Sequence, residues 1–260
     1  MIRAFPKSRM TALVGCPLAA AAAGLLTWLL LARRDMEPQS RVVVTVLVMF
    51  VAANLPLFFA RVLAAKAYQE RLLYLYEQLD PEKFLDALEP LQNAPMSPSD
   101  RCTLRVHQAN GCLYAGQPER ALGILDAIAP PDNALQMRGL ILSNHCTCLL
   151  MAGRLEEAQE AMDALKLLLR DKNCKKEFVE KARHTLGYQK LCMDIARGKA
   201  VDVSALERDF EQSRAPLHRL DVQYRLAMAY RNRHQEEGYR RAKEYVRTFG
   251  SKTALPSLLA

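Results

Sequence analysis

Two long apolar runs without a single charge, Thr11 to Ala32 and Val42 to Ala60, stand within the first 65 residues of this 260-residue chain. They count 22 and 19 residues, and at about 1.5 Å of helical rise per residue each reaches about the 30 Å of a hydrocarbon core. The runs predict a membrane hairpin of two transmembrane helices, 11–32 and 42–60, within residues 1–65, followed by a charged, helix-patterned domain over 66–260.

A secretory signal peptide is the first competing reading, since Arg3, Lys7 and Arg9 form a basic flank and Ala19 to Ala23 offers small residues. The apolar stretch is too long for one, because a signal core of about 7–15 residues would end well before Leu25, Trp28 and Leu31. Leu13-Val14-Gly15-Cys16 has the order of a lipoprotein box, but only Met10 to Ala12 precede it as an apolar core. Orientation follows the lysines and arginines beside the spans. Arg3, Lys7, Arg9, Arg61, Lys66 and Arg71 flank the outer ends, against Arg33, Arg34 and Arg41 in the connection. That bias predicts both termini on the cytoplasmic side of a cell membrane, and short loops without sorting motifs point to a bacterial inner membrane.

The formal charge of +8 divides unevenly: residues 1–65 hold 7 basic and 2 acidic side chains, and residues 66–260 hold 29 and 26. Most of the excess therefore decorates the spans, which makes a nucleic-acid partner unlikely as a class. Arg214 to Lys252 is locally basic, with ten Lys or Arg against four Asp or Glu. That stretch is read as a solvated helix face, with contact to anionic lipid headgroups, an acidic partner or RNA as the alternatives. The seven cysteines are an odd number without framework spacing, as expected for free thiols in a reducing compartment. His145-Cys146-Thr147-Cys148 lacks the second ligand pair that zinc requires, so neither metal nor cofactor is expected.

Within the soluble part Gly116-Gln-Pro-Glu119-Arg-Ala121 recurs as Gly153-Arg-Leu-Glu156-Glu-Ala158, 37 residues later. Each hexad follows an apolar helix and opens another: 102–115 then 118–128, and 135–152 then 155–169. Glycine suits the left-handed residue after a helix, and glutamate suits the positive end of the next one. Flanking pairs are expected at 72–79 with 81–91, at 175–197 with 204–213, and at 220–232 with 237–249, with Ser99 or Asp100 as a cap for the helix that follows. These residues resemble the tetratricopeptide repeat family, with Ala109, Gly116 and Ala121 on its small-residue positions in one unit and Cys146, Gly153 and Ala158 in the next. Tyr224-x-x-Ala227-x-x-Tyr230 resembles the family's first helix more closely. The large aromatic expected early in that helix is missing from the two central units, and Pro130-Pro131-Asp132-Asn133 stretches the period. The expected fold class is all-α: two transmembrane helices followed by a solenoid of four to five helical hairpins.

Mechanism-bearing motifs are missing. Gly111 and Gly116 have phosphate-loop spacing, but Gln117 stands where Lys is needed, and neither G-x-S-x-G nor H-E-x-x-H occurs. The chain is therefore expected to bind rather than catalyse. The resemblance implies a concave groove for a protein or peptide partner. Its register turns Val106, Asn110, Leu113 and Tyr114 inward in one unit, Ser143, Thr147, Leu150 and Met151 in the next, and Asp221, Tyr224, Met228, Arg231 and Asn232 in the last. Asn110 is singled out because an amide there would bond a peptide backbone. In the second span Asn54 is expected to bond across the hairpin or to another subunit, and Trp28 and Tyr68 suit the membrane interface. The function expected is a membrane-anchored scaffold that recruits a protein partner. The competing reading is an integral subunit of an envelope, transport or secretion complex assembled through the hairpin.

Overall fold

The computed structural model describes residues 5, 9–33, 37–131 and 134–260. Arg3, Lys7 and Arg34 of the basic flanks, and Asp132-Asn133 of the stretched turn, lie outside the described residues. Among the described residues the chain is helix and turn, without a strand. It separates into two compact units, Met1–Glu70 with Asn93–Ser97, and Arg71–Gln92 with Pro98–Ala260.

In the first unit a five-residue wide turn, Thr11–Gly15, leads into α1 (Cys16–Ala32), and α2 runs without interruption over Pro38–Tyr76. Thr11–Ala32 and Pro38–Tyr76 are both long and apolar enough to cross a membrane, and only 6% of each apolar window is buried. Leu13, Leu18, Leu25, Leu29, Val43, Phe50, Val51 and Phe58 point outward, the arrangement a lipid solvent favours. Small residues hold the two helices together in antiparallel register. A Cβ built on Gly24 would lie 2.6 Å from Met49, and one on Gly15 3.0 Å from the Pro56 ring. Near the connection the Arg41 guanidinium lies over the Trp28 ring at 5.7 Å. Asn54 departs from expectation: its amide donates to Phe50 O of its own helix at 2.7 Å and does not bridge to α1. One turn back along a helix is the nearest acceptor an amide finds in an apolar setting.

The second unit contains the last turn of α2, then α3 (Pro81–Leu88) with a single tight turn at Glu89–Leu91, α4 (Pro98–Tyr114), α5 (Pro118–Asp126), α6 (Leu135–Met151) and α7 (Leu155–Leu168). It continues with α8 (Lys176–Ala196), α9 (Ser204–Gln212), α10 (Pro216–Asn232), α11 (Glu236–Phe249) and α12 (Leu255–Leu258). The helix beginning at Pro98 starts earlier than Ser99 or Asp100 as caps would require, because proline is well suited to the first helical position and both residues fall inside its first turn. Helices pack in consecutive pairs, α4 with α5, α6 with α7 and α10 with α11, while α4, α6, α8 and α10 also touch in sequence.

A left-handed residue follows α2, α4, α6, α8 and α10. Leu79, Gly116, Gly153, Gly198 and His234 all take φ between 55° and 78°. At Gly116 the N–H donates to Leu113 O and the next N–H to Cys112 O, and the same pair of bonds recurs at Gly153, Gly198 and His234. This is the left-handed helix stop that satisfies orphan carbonyls. Only the glycines at 116 and 153 were expected. Glycine tolerates this region without strain, whereas Leu79 and His234 adopt it because the bonds around them fix the chain. The small residues of the two central helix pairs are core: Ala109, Ala121, Cys146 and Ala158 are fully buried, together with Cys112, Cys148, Leu125 and Leu149. Gly111 lets α3 approach α4, since a Cβ there would fall 2.8 Å from both Phe84 and Leu85.

The C-terminal segment returns to the beginning of this unit. Lys252 Nζ meets Asp80 Oδ2 at 2.7 Å, Ala254 N–H donates to Tyr114 O at 2.8 Å, and Tyr239 Oη donates to Leu259 O at 3.1 Å. Leu255 and Leu259 are fully buried. The buried Leu255 and Leu259 anchor this segment, and the surface ion pair with the one backbone hydrogen bond adds roughly 1–2 kcal/mol to its hold. The double variant Lys252→Glu/Ala254→Pro is expected to raise the labelling rate of the buried thiols Cys112, Cys146, Cys148 and Cys192 about tenfold under native conditions. Thiol-specific reagent with mass mapping measures it, and unchanged rates would show that the segment does not hold the helices closed.

Candidate binding site on the inner helices

The first helices of successive pairs, α4, α6, α8 and α10, touch in sequence, and polar side chains from them meet around the middle of α10. From α10, Asp221 and Arg225 are one turn apart, with Arg225 Nε and Asp221 Oδ1 separated by 3.7 Å. From α8, Tyr188 Oη donates to Asp221 Oδ2 at 2.7 Å. From α6, the thioether of Met151 accepts from Arg225 Nη2 at 3.2 Å. Tyr224 packs beside the guanidinium at 5.1 Å from ring centre to Cζ. Arg225 is only 2% exposed, and its Nε is buried without a hydrogen-bond partner. Burial and the Asp221 charge hold the Tyr114 and Tyr188 phenols well above their ordinary range, so both stay protonated donors.

One turn back along α6 lies a second buried polar group. Gln189 of α8 is 2% exposed, and its Nε2 donates to Ser143 O at 2.8 Å and reaches Thr147 Oγ1 at 3.4 Å. Thr147 in turn donates to Ser143 O at 3.1 Å. Gln189 Oε1 is buried with no partner. At the far end of α4, Asn110 Nδ2 donates to Tyr76 Oη at 3.3 Å, and the Tyr76 hydroxyl pairs with His107 Nδ1 at 3.0 Å. Burial carries the His107 imidazole down to about 4 and pushes the Tyr76 phenol up.

The expected groove residues are therefore distributed differently from an open concave surface. Val106, Leu113, Leu150 and Tyr224 are buried in the core. Asn110 uses one N–H of its amide on Tyr76. Tyr114 and Met151 face the Arg225 cluster from α4 and α6, and Thr147 joins Gln189. Arg231 is exposed on the surface at the end of α10, and Asn232 bonds to Ile195 O at 2.8 Å. Arg225, Tyr188 and Gln189 were not singled out in the sequence. The one legible signal was the Asp221/Arg225 pair at helical spacing.

The cysteines of the core are chemically quiet: burial pushes Cys146 and Cys148 up to about 12 and Cys192 up to about 11, so none is a thiolate nucleophile near neutral pH. Among the described residues no group of three or more His, Cys, Asp or Glu is placed to hold a metal ion. A cleft of about 570 Å³ opens between α8 and α9, lined by His184, Gly187, Tyr188, Leu206, Arg208 and Asp209. It backs onto the Tyr188 ring whose hydroxyl serves Asp221. On the basic C-terminal stretch Arg231 and Arg240 are exposed, while Arg241 and Arg247 stand near Glu237 and Glu244 at 3.7 and 3.6 Å. Compared with known proteins, the chain matches no family model, no curated protein and no solved structure.

Proposed function

We propose that this chain is a membrane-anchored, tetratricopeptide-like helical-repeat adaptor, held by a two-span hairpin with both termini in the cytoplasm, and that its repeats recruit a protein partner through an extended peptide. The observation that carries the reading is the recurrence of a left-handed residue past a helix end at Leu79, Gly116, Gly153, Gly198 and His234, the last four with the same pair of closing hydrogen bonds. The interval is 37 residues from Leu79 to Gly116 and again to Gly153, 45 to Gly198 and 36 to His234. A supersecondary unit repeated near this length, with small buried residues at the crossing points, is the hallmark of helical-hairpin arrays, and such arrays bind partners on their inner helices. The two outward-facing apolar helices support the anchor.

The alternative, a subunit assembled through its spans, draws on Asn54, which is exposed in the middle of an apolar helix. A polar group facing lipid favours a neighbouring helix. The test is capture of partners by the full chain in mild detergent, beside the same chain carrying Asn54→Leu and beside one carrying Tyr114→Ala/Met151→Ala. A partner lost only with the inner-helix variant supports the adaptor. A partner lost only with Asn54→Leu supports the subunit, and capture of nothing by the parent chain refutes both.

A further inference from the structure

The inner helices hold one buried donor and one buried acceptor that the protein leaves unmatched. Arg225 Nε and Gln189 Oε1 belong to side chains that are each 2% exposed, and neither atom has a hydrogen-bond partner. A buried polar group without a partner costs about 1–3 kcal/mol, and this fold carries two of them on two of its inner helices, Gln189 on α8 and Arg225 on α10. Both side chains reach α6, Gln189 at Thr147 and Arg225 at Met151 one turn later.

What Arg225 lacks is hydrogen bonding, not charge compensation. Asp221 stands 3.7 Å from its Nε, near enough to balance the charge and too far to accept a hydrogen bond. The Asp221 carboxylate cannot swing closer without giving up the Tyr188 hydroxyl at 2.7 Å. Nη2 meets only a thioether, a weak acceptor. A second carboxylate brought to this place would leave a net buried negative charge, which is costly. A neutral carbonyl meets the need at no such cost, and Gln189 Oε1 asks at the same time for a neutral N–H. One chemical group supplies both: the amide of a peptide main chain.

We propose that Arg225 and Gln189 form a receptor for the main-chain amide of an extended peptide, Arg225 donating to its carbonyl and Gln189 accepting from its N–H. The proposal rests on the adaptor reading and gives its partner a chemistry: recognition of backbone and not of an acidic terminus. Tyr114, Tyr188 and Tyr224 wall the receptor with rings, which exclude water and strengthen such bonds. The receptor is closed in the resting fold, and the C-terminal segment, which is tied through Ala254 to the backbone of Tyr114, is where it would open.

The experiment uses the full chain in detergent micelles and the smallest peptide unit, N-methylacetamide, as probe. The Arg225 Nε–H resonance, identified by its loss in Arg225→Lys, is followed by nitrogen–proton NMR during titration with N-methylacetamide or with sodium acetate at matched ionic strength. The expected result is a saturable shift of that resonance with N-methylacetamide and none with acetate. Half-saturation should fall at least threefold lower in Lys252→Glu/Ala254→Pro, and should move at least threefold higher in Gln189→Leu, which keeps the arginine and removes the acceptor. A saturable shift with acetate alone overturns the proposal in favour of a charge-reading site. No shift with either probe in either background makes Arg225 a structural arginine and overturns it as well. Because no cellular partner enters the measurement, its outcome is independent of whether the capture experiment succeeds.

Discussion

Replacing Asp221 with alanine should destabilise the full chain by about 3–5 kcal/mol, the range found when one partner of a buried ion pair is removed. Among the described residues Asp221 is the carboxylate that faces the Arg225 guanidinium, at 3.7 Å, and it also receives the Tyr188 hydroxyl. Alanine leaves a permanent charge enclosed by Met151, Tyr224 and the core thiols, and it orphans a phenol that burial keeps protonated. The origin of the loss can be separated by a double-mutant cycle. Arg225→Met alone removes the charge and fills the space with an apolar chain beside Met151, so it should cost less than Asp221→Ala. In the double variant Asp221→Ala/Arg225→Met the penalty should shrink to the lost Tyr188 bond, about 1 kcal/mol. Urea unfolding followed by far-ultraviolet circular dichroism in detergent reads all four corners. An Asp221→Ala loss below about 1 kcal/mol, or no relief from Arg225→Met, would show that water reaches the guanidinium and that the cluster is not a closed interior site.

The second large effect is acid lability centred on His107. Burial lowers its pKa from the ordinary 6.5 to about 4, because the charged imidazolium loses its solvent there. A base whose folded pKa is depressed binds fewer protons folded than unfolded. The neutral-form advantage is therefore fully present above pH 6.5 and is lost as pH falls toward about 4. At 1.36 kcal/mol per unit the loss is about 3 kcal/mol across that window. His107→Gln keeps an acceptor for the Tyr76 hydroxyl, now 3.0 Å from Nδ1, and has no proton to gain. Its stability, read from urea midpoints at pH 7 and pH 4.5, should fall by roughly 2 kcal/mol less than that of the parent chain. Parallel pH profiles for the two proteins would refute the assignment, and would move the acid sensitivity to carboxylates such as Asp80, which the Lys252 hydrogen bond holds below its ordinary range.

Much of the architecture was legible along the chain. Thr11–Ala32 and the second apolar run were readable because length without charge is a one-dimensional property. The helices that begin at Pro118, Leu135, Leu155 and Ser204 start where the residues place them, and Gly116 and Gly153 take the left-handed geometry that the paired hexads implied. Three things escaped. The stops at Leu79, Gly198 and His234 share that geometry without the hexad, since neighbouring hydrogen bonds rather than residue type impose it at Leu79 and His234. Asn54 turned to its own helix. Asn110, chosen as a ligand for a partner, also donates to Tyr76, 34 residues away in sequence.

Sequence alone thus determined where the chain is apolar enough for lipid, where it is helical, and which small residues let helices cross, because each depends on local composition and on periods of a few residues. Tertiary structure alone decided that Lys252 and Ala254 return to Asp80 and Tyr114, and that residues from four helices gather around Arg225 with one donor and one acceptor left unmatched. Those facts depend on the angles at which helices distant in sequence pack. Each angle is set by side-chain volumes in contact across the core, and no short stretch of sequence contains those contacts.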